Sequence, residues 1–120
     1  MAANIGYHPD RSVVSEESLA DFIRSDITGN LLEVPGIGAV AQRRLRTEHG
    51  ITTTYQLIAK YLSFKDDTTA NIEHADRFYH WICTTGVHNM RRAGVVRCIA
   101  SKTNATFPNI YSDNGYEENR

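Results

Sequence analysis

A chain of 120 residues with 41% hydrophobic content supplies one modest core, about one domain's worth. No run of about 18 apolar residues occurs, which excludes a helical membrane span, and the opening "MAANIGYHPDRSVVSEES" lacks the apolar stretch of a secretory signal. The net charge of −1 argues against a uniformly basic nucleic-acid binder, so any anion site must come from local clustering.

Residues 1–14 carry no periodicity and are expected to form a flexible N-terminal segment. Ser15 followed by Glu16 and Glu17 predicts an N-cap with acids in the first turn. Leu19, Phe22 and Ile23 then share one helical face, and Gly29 with Asn30 breaks the helix. "LLEV" is a short apolar run into Pro35, which biases Val34 away from the helical region.

After Gly38, Val40, Ala41 and Leu45 recur at helical spacing, and the pattern stops at "EHG", where Gly50 suits a left-handed terminus. Thr52 or Thr53 caps a third helix carrying Tyr55, Ile58, Ala59 and Leu62. Residues 65–69 read as a polar loop. Ile72, Ala75, Phe78, Tyr79 and Ile82 mark a fourth, amphipathic helix ending at Gly86, and Asn89 caps a last one with Ala93, Val96, Ile99 and Ala100 inward. Residues 104–120 combine turn residues and acids and are expected to be a flexible acidic tail, with Phe107, Ile110 and Tyr111 able to dock. No alternating strand pattern competes. The expected fold is all-α: a compact bundle of about five short helices spanning residues 15–103.

Cys83 and Cys98 sit in apolar helical patterns and read as reduced, buried thiols of an intracellular protein, which makes the Asn104 sequon accidental. His49, His74, His80 and His88 form neither an i,i+4 pair nor a Cys/His knuckle, so no metal or other cofactor is expected. Asp66 and Asp67 read as a solvated loop rather than a catalytic dyad. With no activated nucleophile or nucleotide-binding loop, no enzymatic activity is expected. Trp81 lies off the Phe78–Ile82 stripe, covering the core or a partner surface.

Charge is unevenly distributed. Residues 36–65 hold Arg43, Arg44, Arg46, Lys60 and Lys65 against Glu48 alone, a net +4. Residues 86–102 hold Arg91, Arg92, Arg97 and Lys102 with no acid, again +4. Acids gather before residue 34 and in the tail. Such asymmetry can leave one basic face on a near-neutral molecule.

The stretch "VPGIGAVAQRRL", Val34 to Leu45, joins these features. A short helix, a Pro-Gly-Ile-Gly turn and a second helix make a helix-hairpin-helix pattern. Gly36 and Gly38 allow positive φ and keep side chains from between backbone and ligand, while Ile37 pins the turn to the core. The first amides of the following helix lack intrahelical partners, and with the helix dipole they make a site for a phosphate. Arg43 or Arg44, one to two turns along, adds a charge-assisted bond. Such contacts position DNA without reading its sequence.

The pattern extends further. "ADFIRSD" precedes the hairpin, "GITTTYQLIAKYLSFKDD" follows it, and "ADRFYHWICTTG" comes next. In order and spacing, from about Leu19 to Ile99, the chain resembles the barrier-to-autointegration factor family. The resemblance implies a small all-helical homodimer of nuclear chromatin that bridges two DNA duplexes without sequence preference and docks LEM-domain proteins in a groove of the dimer. It places hairpin contacts on the backbone of Gly36, Gly38, Val40 and Ala41 and on the Arg44 side chain. It places a second phosphate contact at the start of the last helix, here "GVHNMRR", where Asn89 and either Arg91 or Arg92 are the candidate contacts.

The sequence also departs from that family. Met90 stands where the family has a lysine, Ser18 stands at a further basic position beside Glu16 and Glu17, and Lys102 with the acidic tail replaces an aromatic C-terminal end. These departures motivate one alternative, a dimerising protein-interaction module without DNA contacts; a further alternative is the DNA-docking subunit of a repair or recombination complex.

Overall fold

The computed structural model describes residues 6–119. Five helices carry the fold: α1 (Glu16–Arg24), α2 (Ala39–His49), α3 (Thr54–Ser63), α4 (Asn71–Ile82) and α5 (Arg92–Thr106). Short 3₁₀ turns at Pro9–Arg11, Leu31–Glu33, Asn89–Arg91 and Asp113–Asn119 connect or extend them, and no strand occurs among the described residues. Nor is any described helix long and apolar enough to cross a membrane.

α5 is the axis of the bundle. Its sequence "AGVVRCIA" is apolar and small almost all round, the composition of a helix enclosed on every side. Ala93 through Val96 and Cys98 through Ala100 are buried, and α1, α3, α4 and the Pro9–Arg11 turn pack around them. Burial pushes the Cys98 thiol up to about 12, while Cys83 is half-buried; both are free.

Local signals set the helix ends. The Ser15 hydroxyl accepts the Ser18 amide at 3.0 Å and starts α1. α1 stops at Arg24, ahead of the Gly29–Asn30 break expected from sequence, because Lys102 closes it. The Lys102 ammonium donates to the carbonyls of Phe22 (2.7 Å), Ile23 (3.1 Å) and Ser25. A cation there satisfies carbonyls that have no helical donor. Thr53, not Thr52, caps α3, in a reciprocal capping box with Gln56. Gly50 ends α2 in the left-handed conformation.

The inward face of α3 differs from the one expected. Thr54, Leu57 and Tyr61 are buried, Ile58 and Leu62 are half-buried, and Tyr55 and Ala59 are exposed. Two apolar rows run along this helix. The row with Tyr61 wins because that ring stacks on buried His74 at 4.2 Å and meets Phe78 edge-on at 5.1 Å. Tyr55 instead donates its hydroxyl to the Ile27 carbonyl at 2.9 Å.

Both segments expected to be loose are packed where they are described. Tyr7, Pro9, Ile110, Tyr111 and Tyr116 are buried. The Tyr7 and Tyr111 hydroxyls hydrogen-bond each other, and the Tyr7 and Tyr116 rings meet edge-on at 5.6 Å. α5 runs to Thr106, beyond the 103 boundary, and the Asn104 side chain accepts the Ile110 and Tyr111 amides, turning the chain back. Phe107 stays exposed.

Candidate functional site

The glycine corner follows from Pro35 and Gly36. Ahead of it, Leu31–Glu33 forms a single 3₁₀ turn rather than a longer helix, and Val34 is extended, as a residue before proline must be. The Ile37 amide donates to the Val34 carbonyl at 3.0 Å, and the Ile37 side chain is buried. Gly36 has φ +101°, and a Cβ there would lie 2.8 Å from Val95 Cγ2 and 3.3 Å from the Arg91 carbonyl oxygen. Only glycine meets both demands.

Gly38 is extended and opens α2 with no capping side chain. Its carbonyl accepts the Gln42 amide at 2.9 Å, so the amides of Ala39, Val40 and Ala41 find no intrahelical acceptor. Ala39 and Val40 are exposed and Ala41 is buried. Val40, expected to share the inner face with Ala41 and Leu45, is 58% exposed.

A cleft of about 410 Å³ opens at these amides. It is lined by residues 36–41 together with Gly86, Val87, His88 and Arg91. A second cleft runs from Val13, Val14, Ser15 and Ser18 to Pro35, Gly36 and Arg91; a third is lined by Val13, His88, Met90 and Arg91. Arg91 lines all three, and no Asp or Glu lines any. The acid nearest the corner in sequence, Glu33, is occupied by the Thr54 hydroxyl (2.6 Å) and by Thr28 and Gly29. Burial raises its carboxyl, but these hydrogen bonds outweigh it and hold the group below its ordinary range.

The predicted cations separate into free and committed ones. Among the described residues Arg43 and Arg91 are exposed and their side chains make no hydrogen bond or ion pair, and Arg43 follows Val40 by three residues on the same side of α2. Arg92 is half-buried and donates Nε to the Val87 carbonyl at 3.0 Å. Arg44 lies outside the cleft, bound to Glu48 at 3.0 Å and reaching the Thr84 carbonyl at 3.4 Å. Arg97, with its side chain only 12% exposed, is held by Glu16 and Asp113. With Lys102 closing α1, three of the four cations in residues 86–102 are tied to internal partners, and Arg91 alone of them is free among the described residues.

Asn89 is not the cap of the last helix. It lies exposed inside the Asn89–Arg91 turn, and α5 begins at Arg92. His88 caps that turn, not the helix: its Nδ1 accepts the Met90 amide at 3.2 Å and its carbonyl accepts the Arg91 amide at 2.8 Å, while α5 opens after Arg91 with no capping side chain. Val87 and His88 thus join the site from within the "GVHNMRR" stretch, and Val13 from a position the sequence did not single out. The "VV" pair before Ser15 was a usable signal, since an apolar residue just ahead of an N-cap tends to pack.

No protein-family model matches the chain, and neither does any curated protein or solved structure. The assignment of a function therefore rests on the residues and their geometry. Trp81 is half-buried, stacked on Phe78 at 5.9 Å and approached by Lys60 Nζ at 5.2 Å.

Proposed function

We propose that this chain binds double-stranded DNA through its phosphate backbone, without reading base sequence. The observation that carries the proposal is the set of three unpaired amides, Ala39 to Ala41, opening into an acid-free cleft that Arg91 also lines. A phosphate oxygen there would receive N–H donors at the positive end of α2, with guanidinium help from Arg91, which lines the same cleft, and from Arg43 one turn along. On the resemblance to the barrier-to-autointegration factor family, the active unit is a homodimer that bridges two duplexes in nuclear chromatin, with a LEM-domain protein as a further partner.

With about three phosphates neutralised per subunit, log K falls with log salt at a slope near −2.7. The test is fluorescence anisotropy of two short duplexes of unrelated sequence over a salt series, paired with light scattering. Equal, salt-dependent binding and a mass of two subunits with two duplexes support the proposal; no binding at low salt ends it.

A second reading, a protein-interaction module, is favoured by the commitment of Arg44, Arg97 and Lys102 to internal partners and by Met90 in place of a cation. Retained dimerisation with no duplex binding selects it.

A further inference from the structure

The proposed phosphate site leaves an apolar feature without a role. Val13 is 59% exposed and Met90 64%, and both line the cleft that also holds His88 and Arg91. Neither sits on a loose end. Residues 12–14 lie across the first turn of α5, where a Cβ at Gly94 would come within 2.6 Å of Val14 Cγ2 and 3.5 Å of Ser12 Oγ. Met90 sits in a turn tied back to His88, and the Arg91 backbone of that turn abuts Gly36. The glycine corner and the two apolar side chains are therefore parts of one continuous surface. Exposed aliphatic groups held this way gain nothing in the free protein; they gain only when a ligand removes them from water.

From this geometry we infer that Met90, with Val13 beside it, is an apolar wedge that enters the minor groove next to the phosphate held at the glycine corner. The preferred substrate is then duplex DNA with an unstacked step, such as a gap or bulge. The inference rests on the proposed DNA binding and adds a substrate class to it. Three observations support it. Arg91 lines both the corner cleft and the Met90 cleft, so a strand gripped at one lies over the other. No acid lines either, so the surface complements a polyanion. Methionine is long, unbranched and adaptable, and is among the side chains that insert between bases and kink a duplex. Opening a stacked step costs free energy, so a step already open is bound more tightly.

The experiment uses the full chain and short duplexes, one continuous and one with a central single-nucleotide gap, each carrying dyes at its ends. The expected result is about tenfold tighter binding of the gapped duplex, with the ends drawn together on binding. Met90→Ala and the pair Val13→Ser with Met90→Ala bring the ratio close to one and leave the salt slope unchanged, because no cation is removed. Arg91→Ala weakens both duplexes alike and lowers the slope by about one. Both wedge positions are exposed, and unchanged melting curves verify that the variants fold.

An equal ratio in the wild type and in Met90→Ala overturns the wedge while leaving phosphate binding intact. Absence of any duplex binding by the wild type overturns both. Sedimentation with phosphatidylserine vesicles covers the rival occupant: vesicle binding lost in Met90→Ala, with an unchanged DNA ratio, assigns the patch to a membrane surface and overturns the wedge.

Discussion

Arg44 is bound to Glu48. Its Nε lies 3.1 Å from both carboxylate oxygens and its Nη2 3.0 Å from one of them, which turns the cation away from the start of α2. The hydrogen bond from Arg44 holds the Glu48 carboxyl below its ordinary range. If Arg44 is a phosphate ligand, as the resemblance implies, Glu48 competes with the DNA. Glu48→Ala is expected to raise duplex affinity a few-fold at low salt, and Glu48→Ala with Arg44→Ala to abolish the gain. Anisotropy titrations check this. Equal affinity in wild type and Glu48→Ala removes Arg44 from the interface. Thermal stability moves little, since the pair is on the surface.

The two glycines of the corner separate folding from binding. Gly36→Ala places a side chain at positive φ and against Val95 and the Arg91 carbonyl, and is expected to cost about 1–2 kcal/mol from the backbone conformation alone. Gly38→Ala meets nothing within 4 Å, and its φ of −105° suits any residue. The structure therefore accepts it, while its methyl stands beside the unpaired amides. Melting curves are expected to drop by several degrees for Gly36→Ala and to stay near wild type for Gly38→Ala. Duplex binding is expected to fall in both. Gly38→Ala with full affinity takes the phosphate away from this corner.

The parts of the molecule written in short windows were legible. Ser15 and Gly50 mark ends by local chemistry, and Ala93, Val96, Ile99 and Ala100 fix the buried face of α5 by spacing alone. α3 was misread because Thr54 and Tyr61 carry both apolar and polar atoms and enter a core that a hydropathy pattern assigns to Ile58 and Leu62. The docking of Ile110 and Tyr111 was open to the sequence, but their partner was not legible, because Tyr7 and Tyr111 lie 104 residues apart and neither stands in a periodic context. At the site, "PGIG" announced the corner, but the fate of the cations depended on tertiary partners. Glu48 four residues after Arg44 was a visible warning. Glu16, which holds Arg97 from 81 residues away, was not.

Asp113 ties the tail to the body. Its carboxylate accepts Arg97 Nη2 at 2.8 Å and the Tyr111 hydroxyl at 2.6 Å, and Arg97 Nη1 donates to Glu16 at 2.9 Å. Burial raises the Asp113 carboxyl, but the bonds from Arg97 and Tyr111 outweigh it and leave it below its ordinary 3.8. The contribution is thus fully present above 3.8 and is lost as pH falls through the lower folded value. Asp113→Asn is expected to cost about 1 kcal/mol, reduced from the buried-pair range because the Asp113 side chain is 37% exposed. Hydrogen exchange should rise across residues 107–116 at neutral pH while α2 stays protected. Unchanged exchange in the tail counts against the clamp.

His74 gives the fold a milder acid sensitivity. It is fully buried, its Nε2 lies 2.8 Å from the Tyr61 carbonyl, and its Nδ1 has no partner. Burial lowers its affinity for a proton; the Tyr61 carbonyl opposes that, and Lys65 and Arg77 add to it. The folded value lies below the ordinary 6.5, so the unfolded chain takes up the proton first. Stability is complete above 6.5 and falls as pH drops below it, by at most about 1.4 kcal/mol per pH unit, until the folded histidine also titrates. Urea unfolding at pH 7.5 and pH 5 measures the slope. His74→Gln keeps a donor for the Tyr61 carbonyl and cannot titrate, so it should be less stable at pH 7.5 from lost packing, yet lose less between the two pH values than the wild type does. A variant as acid-sensitive as the wild type places the titrating group elsewhere.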